Sequence, residues 1–234
     1  MSIPNFFIND IPSSNETFSL DEENSRHIVQ VLRMQAGEKI ALLNGRGKKV
    51  IAEIIESHKK HCRVQPGAME EIVASQRKVC IAISLLKNTS RFEWFLEKAT
   101  EIGVTQIVPL ICARTEKQKF RSDRMRAILV SSMMQSQQAW LPEIEEPVQF
   151  TSFVQRNLSG SLFIAHCRED AERDPVERFP TGDSTILIGP EGDFSAEEIT
   201  EALKRKFQPV TLGTTRLRTE TAGVVAATLL CREF

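Results

Sequence analysis

The last two-thirds of the chain alternate short apolar runs with amphipathic segments. From Lys78 onward, the runs 79–85 and 106–111 predict strands, and the segment 88–102 between them has an apolar stripe at helical spacing. Gly103 supplies a typical helix stop. Strands that alternate with helices usually pair in parallel, with both faces of the sheet covered. We therefore expect an α/β fold with a mostly parallel sheet. Further strands are predicted at 161–165, 185–188 and 209–212, and further helices at 122–138 and 222–230.

The first seventy residues follow a different pattern, with short strands and a strong turn signal. Strands are predicted at 39–43, 49–55 and 61–64. The turn residues 44–47 contain two glycines and predict a hairpin between the first two strands. One helix is expected at 21–34, because Ser19 or Asp21 can cap it and apolar residues follow at helical spacing. A compact β-barrel is the expected closure of this part.

The sequence suggests two domains joined by a short polar segment. Residues 66–77 are polar or small and show no clear period, as linkers do. We place the boundaries at 1–70 for the barrel, 71–77 for the linker and 78–234 for the α/β domain. A chain of 234 residues is long enough for two modest domains.

The composition excludes several classes of protein. With 41% hydrophobic and 26% charged residues the chain is expected to fold, and no apolar run reaches the length of a membrane span. The amino terminus lacks the basic leader and apolar core of a signal peptide, so a cytoplasmic location is expected. The five cysteines are scattered without a CxxC pair, and the pairs His61-Cys62 and His166-Cys167 would point to opposite faces of a strand. We expect no disulfide framework and no metal site.

Basic residues are concentrated in two segments, although the net charge is only −1. Between Arg26 and Arg63 basic residues exceed acidic ones by six, and between Arg114 and Arg126 by four. Such segments either bind phosphates or form ordinary solvated faces, and charge alone does not choose between the two.

Two glycine-containing stretches near the carboxyl terminus follow predicted strands. The first, 189–195, is Gly-Pro-Glu-Gly-Asp-Phe-Ser, and the second, 212–222, is Leu-Gly-Thr-Thr-Arg-Leu-Arg-Thr-Glu-Thr-Ala. Ser195 and Glu198 form a capping-box pattern, which predicts a helix directly after the first stretch. Two junctions of this kind form a crevice at the carboxyl ends of α/β strands, where glycines let a ligand approach the backbone.

Common nucleotide and hydrolase motifs are absent from the sequence. Gly47-Lys48 has neither the glycine spacing nor the following Ser or Thr of a Walker A loop, and 45–47 lacks the third glycine of the dinucleotide fingerprint. HExxH and GxSxG do not occur. Glycine chemistry alone leaves nucleotide, sugar and cofactor ligands open.

The two carboxyl-terminal stretches resemble the cofactor loops of the SPOUT methyltransferases, and within that superfamily the RsmE family. The resemblance extends over nearly the whole chain. It includes His27, 31–33, Gly37 and 44–45 in the first part, and Lys87, 97–98, 101–104, Pro109, Arg114, 135–136 and 142–144 in the second. The chain departs from the family pattern at Met134 and Gln138, where Glu and Arg are frequent, and has Asp193 where a further glycine is common.

The resemblance implies a fold, a reaction and partners. It implies an amino-terminal PUA-like barrel that binds RNA, followed by a SPOUT α/β domain with a carboxyl-terminal trefoil knot. It implies S-adenosyl-L-methionine as the methyl donor, N3 of a uridine in 16S ribosomal RNA of the small subunit as the acceptor, and a homodimer. Two alternatives stay open: a SPOUT enzyme that acts on another RNA position, such as a tRNA or rRNA ribose, and a non-catalytic RNA-binding factor for ribosome assembly.

The resemblance also implies candidate site residues. The catalytic candidates are Arg218 and Glu220, which could otherwise pair with each other or cap the following helix. The cofactor-binding candidates are Leu187, Ile188, Gly189, Pro190, Glu191, Gly192, Leu212, Gly213, Arg216, Leu217, Thr219, Thr221 and Ala222. The RNA-binding candidates are His27, Arg33, Arg46, Lys48, Lys49, Lys87, Arg91, Arg114, Lys117, Lys119 and Arg121.

Overall fold

The chain divides into two units that are interleaved in sequence. A computed structural model describes residues 3–12, 15–116, 119–167, 174–175 and 182–231. The first unit comprises Met1–Ala74 and Met133–Leu141, and the second comprises Ser75–Ser132 and Pro142–Phe234. The boundaries predicted from the sequence contain no such return of the chain to the first unit.

The first unit is built on a five-stranded sheet. Its strands are β1 (Asn5–Phe7), β2 (Phe18–Ser19), β3 (Lys39–Leu43), β4 (Lys48–Glu56) and β5 (Arg63–Glu71), in the spatial order β1-β3-β4-β5-β2. Strand β1 is parallel to β3, and the other pairs are antiparallel. The predicted hairpin between β3 and β4 is confirmed, and the Asn44 side chain stabilises its turn by accepting from the backbone N–H of Arg46 at 2.8 Å. Strand β5 continues through residues 66–71, which the sequence suggested as part of a linker.

The predicted helix at 21–34 is shorter than expected and changes its hydrogen-bond pattern. Helix α1 (Glu22–Arg26) is capped by Asp21 as predicted, since this side chain accepts from the N–H of Asn24 at 2.8 Å. A single π-helical turn, His27–Val31, follows it. Arg33 has a φ of 56°, a left-handed backbone conformation that cannot continue a helix and therefore ends this one.

The segment Met133–Leu141 packs in the first unit. Met133 and Ala139 form a small buried cluster with Leu43. The Trp140 indole donates to the carbonyl of Ile72 at 2.9 Å, and its ring lies so close to Gly47 that a Cβ there would come within 2.5 Å of it. This segment begins within the last turn of the helix Ser122–Gln135, whose earlier residues belong to the second unit, so no local sequence signal assigns it to the first.

The second unit is an α/β domain with an all-parallel sheet, which confirms the predicted fold class. Its elements in chain order are β6 (Val79–Ser84), α2 (Thr89–Ile102), β7 (Gln106–Ile111), α3 (Ser122–Gln135), β8 (Glu143–Ile144), β9 (Val148–Gln149), α4 (Phe150–Val154), β10 (Ser161–Ala165), β11 (Asp174–Pro175), β12 (Ser184–Ile188), α5 (Ala196–Lys204), β13 (Gln208–Thr211) and α6 (Thr219–Cys231). The spatial order of the strands is β11-β13-β10-β12-β6-β7-β8, and β9 also pairs with β7. The trefoil knot stays a prediction. Among the described residues, every helix is too short or too polar for a membrane span.

The core of the second unit fixes the position of helices α2 and α6. Phe92, Phe95 and Leu96 form the buried face of α2, as the predicted stripe requires, and Gly103 ends the helix in a left-handed conformation. A Cβ on Gly223 of α6 would lie 2.7 Å from the Phe95 ring, so only glycine permits this close packing. Helix α6 begins at Thr219, three residues before the predicted start at Ala222, because the Arg218 carbonyl accepts from the Ala222 N–H at 2.7 Å.

Candidate functional site

The two glycine-containing stretches meet at the carboxyl end of the parallel sheet. We call residues 189–195, which follow β12, the first loop, and residues 212–218, which follow β13, the second loop. The hydroxyl of Thr219, at the end of the second loop, donates to the carbonyl of Gly189 at 3.0 Å in a buried hydrogen bond. The structure therefore brings together the two stretches that the sequence analysis assigned to one crevice.

The first loop is held by bonds within itself and to the strand beside it. The N–H of Asp193 donates to the Pro190 carbonyl at 2.9 Å, and Asp193 has a left-handed backbone with a φ of 63°. Its carboxylate accepts from the N–H of Cys167, just after β10, at 2.8 Å. Gly189 lies against Phe194, whose ring a Cβ would approach to 3.1 Å. These contacts give the first loop a defined shape.

Two charged side chains connect the first loop, through hydrogen bonds, to the segment that follows β7. The Arg114 guanidinium donates to the carbonyl of Gly192 at 2.6 Å. The buried Glu198 carboxylate accepts from the N–H of Ala113 and from the N–H of Ser195, each at 2.8 Å. Ser195 and Glu198 form the predicted capping box at the start of α5. Sequence analysis missed the bond to Ala113, because a contact 85 residues away in sequence leaves no local pattern.

The second loop is exposed and is held mainly near its ends. Thr211, at the end of β13, donates from its hydroxyl to the carbonyl of Gly213 at 2.8 Å. Gly213 has a φ of +149°, and a Cβ there would meet no atom within 4 Å. The candidate residues Arg216 and Arg218 are both exposed. The second loop therefore presents exposed backbone at Gly213 and two exposed arginine side chains.

Glu220 has an unusual environment in the first turn of α6. Its side chain is only 9% exposed, and Oε1 lies 3.6 Å from the Nε of Arg91 on α2. Its other oxygen, Oε2, is buried and has no hydrogen-bond partner among the described residues. A buried acceptor without a donor is costly, so this oxygen is a natural place for a ligand N–H to bind.

The RNA-binding candidates of the first unit lie at the π-helical segment and around the turn between β3 and β4. His27 and Arg33 are exposed at the two ends of the π-helical segment, and the His27 ring packs edge-on against Phe6. Arg46 forms an exposed ion pair with Asp10 at 2.7 Å. Lys48 and Lys49 begin β4 and are partly exposed. Their RNA contacts stay predictions.

The described RNA-binding candidates of the second unit lie in α2 and in the chain segments that follow β6 and β7. Lys87 forms an ion pair with Glu116 at 2.7 Å, and the hydrogen bond to that carboxylate raises the pKa of the lysine. Lys119 and Arg121 are exposed, and Lys117 lies outside the described residues. Arg114 and Arg91 already contact Gly192 and Glu220 respectively, as described above. The RNA contacts of these residues also stay predictions.

The cysteines form no reactive cluster in the described part of the chain. Burial raises the pKa of Cys112 to about 12, and that of Cys80 to about 12. Cys167 is exposed, and Cys62 is buried. Within the described residues, no group of three or more His, Cys, Asp or Glu side chains could hold a metal ion.

Family models match both units of the chain. Residues 74–231 match the model of an RNA methyltransferase domain, and residues 20–67 match that of an RNA methyltransferase PUA domain. The first match covers more than half of the chain. The PUA match agrees with the β-rich architecture of the first unit.

Individual relatives are similar over nearly their full length. A crystal structure of a "probable rRNA-methyltransferase" from Porphyromonas gingivalis is 37% identical, covers 96% of this chain and 95% of its own, and superposes with a TM-score of 0.88. A ribosomal RNA small subunit methyltransferase E from Neisseria gonorrhoeae, bound to S-adenosyl methionine, is 27% identical with coverages of 97% and 95% and a TM-score of 0.84. The enzyme of the same name from Buchnera aphidicola is 28% identical, covering 99% of this chain and 94% of its own sequence. The chain therefore belongs to the RNA methyltransferase family, in the group named ribosomal RNA small subunit methyltransferase E, or RsmE.

Proposed function

We propose that the protein transfers a methyl group from S-adenosyl-L-methionine to N3 of a specific uridine in 16S ribosomal RNA. The observation that carries this proposal is the buried bond from Thr219 to Gly189, which joins the two loops beside the unpartnered Oε2 of Glu220. The relative from Neisseria gonorrhoeae is named as a small-subunit ribosomal RNA methyltransferase and binds S-adenosyl methionine. The same cofactor and the same substrate class are proposed for this chain.

The two loops have the features that this cofactor requires. The backbone of residues 187–192 and 212–217 would hold its adenosine part, because glycine lets main-chain N–H and C=O groups approach a ligand closely. Gly213 suits this role, since the space beside its Cα is open. Thr219, Thr221 and Ala222, in the first turn of α6, would complete the pocket. When bound, the cofactor supplies an electrophilic methyl group on a sulfonium.

Glu220 and Arg218 would prepare the uracil ring for attack. The neutral imide nitrogen is a poor nucleophile, so N3 must lose its proton as it approaches the methyl group. The Oε2 of Glu220 is a buried acceptor able to take this proton. The exposed guanidinium of Arg218 would stabilise the negative charge that develops on the uracil oxygens.

RNA binding would use the basic residues of both units. In the first unit these are His27, Arg33, Arg46, Lys48 and Lys49, and in the second Lys87, Arg114, Lys117, Lys119 and Arg121. Phosphate contacts by such residues should make RNA binding weaken as the salt concentration rises. We further propose that the protein acts in the cytoplasm and that it forms a homodimer. Sedimentation equilibrium tests the homodimer directly.

Mass mapping of 16S RNA tests the proposed reaction. Small subunits from a strain that lacks the gene are incubated with the purified protein and labelled cofactor, with Glu220→Gln as the inactive counterpart. We expect one methyl group on one uracil N3 with the wild type, and a rate at least about 100-fold lower with the variant, as is typical for loss of a general base. A methyl group at a ribose, or no cofactor binding by calorimetry, would overturn the proposal.

A further inference from the structure

Arg91 and Glu220 join two helices at the candidate site. Arg91 lies in the first turn of α2, and Glu220 in the first turn of α6. The Nε of Arg91 is 3.6 Å from Oε1 of Glu220, whose side chain is 9% exposed. The resemblance to RsmE placed Arg91 among the RNA contacts, but the geometry of this pair suggests another role.

We infer that Arg91 is a positioning residue, which holds one oxygen of the Glu220 carboxylate so that the other is presented to the substrate N–H. The inference rests on the proposed role of Glu220 as the proton acceptor. Two oxygens of one carboxylate are fixed together, so an ion pair at Oε1 also fixes the direction of Oε2. Arg91 itself need not touch the RNA.

Burial explains why this carboxylate needs a cationic neighbour. A charged carboxylate loses its hydration when it is removed from water, and this loss is costly unless a cation or hydrogen bonds compensate for it. Oε2 of Glu220 receives no hydrogen bond within the described part of the chain. Among those residues, the negative charge of the carboxylate is therefore balanced by the Arg91 guanidinium and by the amino terminus of α6. An arginine suits this position because it stays charged at any physiological pH.

The packing of α2 against α6 makes the pair rigid. Gly223, one turn after Glu220, allows the two helices to approach so closely that a Cβ would lie 2.7 Å from the Phe95 ring. Phe95 is one turn after Arg91 on α2, and its side chain is fully buried. The separation of the two charged residues is therefore set by the core.

A second arginine–glutamate pair provides a matched control. Arg205 and Glu201 form a pair through the same atoms, Nε and Oε1, at 3.4 Å. The Glu201 side chain is 31% exposed, and both residues lie at the carboxyl-terminal end of α5. Solvent screens such a pair, so its loss should change neither stability nor catalysis measurably.

A double-mutant cycle with two readouts tests the inference. The variants are Arg91→Gln, Glu220→Gln, the double variant, Arg91→Lys and the control Arg205→Gln. With small subunits as substrate, Arg91→Gln should lower kcat about 10- to 100-fold and change KM for RNA less than about twofold, because a misplaced base slows the chemical step and leaves binding intact. Arg91→Lys should restore part of kcat. In the Glu220→Gln background, the change at Arg91 should have no further effect on kcat.

Urea unfolding of the same variants without cofactor supplies the second readout. The effect of the double variant on the unfolding equilibrium constant should differ by about fivefold or more from the product of the effects of Arg91→Gln and Glu220→Gln. This coupling does not depend on methyl transfer, so a wild-type protein that fails to methylate would refute the proposed function alone. Additive effects on unfolding, or a raised KM for RNA with unchanged kcat in Arg91→Gln, would overturn the role assigned to Arg91.

Discussion

The two loops of the candidate site are held in place by different sets of hydrogen bonds. The first loop is bound along its length, by the Asp193 carboxylate to the chain after β10, by Arg114 at Gly192 and by Glu198 at its end. The second loop is bound near its ends, by Thr211 at Gly213 and by Thr219 at the first loop, and its middle is exposed. We therefore expect the first loop to be more rigid than the second, which can adapt to a ligand.

Because of this difference, we expect the two loops to contribute to ligand affinity in different ways. A preformed loop loses little conformational freedom when a ligand binds, so its contacts contribute fully to affinity. An exposed loop loses more freedom, and part of the binding energy is spent in ordering it. Substitutions in the first loop should therefore lower folding stability, and those in the second should lower cofactor affinity.

The largest effect is expected from Glu198→Ala. The change removes the buried carboxylate that accepts from the N–H groups of Ala113 and Ser195, which should destabilise the second unit by about 3 kcal/mol. Urea unfolding measures the loss. Glu201→Ala, on the same helix but at an exposed ion pair, is the control and should cost less than about 0.5 kcal/mol. Equal losses in the two variants would show that the first loop is not fastened through Glu198.

The two loop glycines should respond differently to alanine. In Gly189→Ala the new Cβ would press on Phe194 at 3.1 Å, which should lower stability by about 2 kcal/mol. In Gly213→Ala the Cβ meets no atom, and the φ of +149° should cost about 1 kcal/mol through backbone strain alone. Thermal unfolding compares the two. A greater loss in Gly213→Ala would reverse the assignment of the rigid and the adaptable loop.

A smaller effect is expected from Thr219→Val. It removes the hydroxyl that joins the loops and should cost about 1 kcal/mol of stability and about tenfold in cofactor affinity. Calorimetric titration with S-adenosyl-L-methionine measures the affinity. Thr228→Val, further along the same helix, removes an exposed hydroxyl bonded within the helix and should leave both quantities unchanged. Unchanged affinity in Thr219→Val would separate the two loops functionally.

The smallest effect concerns thiol chemistry around the first loop. Burial raises the pKa of Cys80 and of Cys112 to about 12 and that of Cys231 to about 11, so at pH 8 about one thiol in a thousand or fewer is a thiolate. Exposed Cys167, whose N–H is bonded to Asp193, should react first with iodoacetamide in peptide mapping. Because we expect the first loop to be rigid, the cofactor should not change the order of labelling.

Denatured protein is the control for this labelling, since all five cysteines should then react. Labelling of native Cys112 as fast as Cys167 would show that the core beside the first loop opens readily.

The ends of several helices were predictable from the sequence, because the residue types at those positions determine the local structure directly. Asn88 and Gly103 delimit α2 by an amino-terminal cap and a left-handed stop, and both act as their residue types suggest. The Ser195–Glu198 capping box begins α5 in the same way. The family resemblance further predicted that these loops bind a cofactor and which cofactor it is, whereas glycine spacing alone left the ligand open.

Contacts between distant parts of the chain were not predictable. The start of α6 at Thr219 depends on the backbone conformation of Arg218, and the pairing of Arg91 with Glu220 depends on how closely Gly223 lets two helices pack. The strand order, in which β13 lies on the far side of β10 from β12, likewise follows from packing of the whole sheet. Such features have no periodicity or local residue pattern.

The return of Met133–Leu141 to the first unit has a consequence for biosynthesis. The turn at Gly47 leaves the ribosome long before Trp140, the side chain that packs on it. At about 5–20 residues per second, about 5 to 20 seconds separate the synthesis of the two. During that interval the nascent first unit exposes the carbonyl of Ile72 and the apolar surface of Leu43 that the later segment covers. The first unit is therefore finished only after part of the second has been made, and it cannot be transferred to another protein as one contiguous piece.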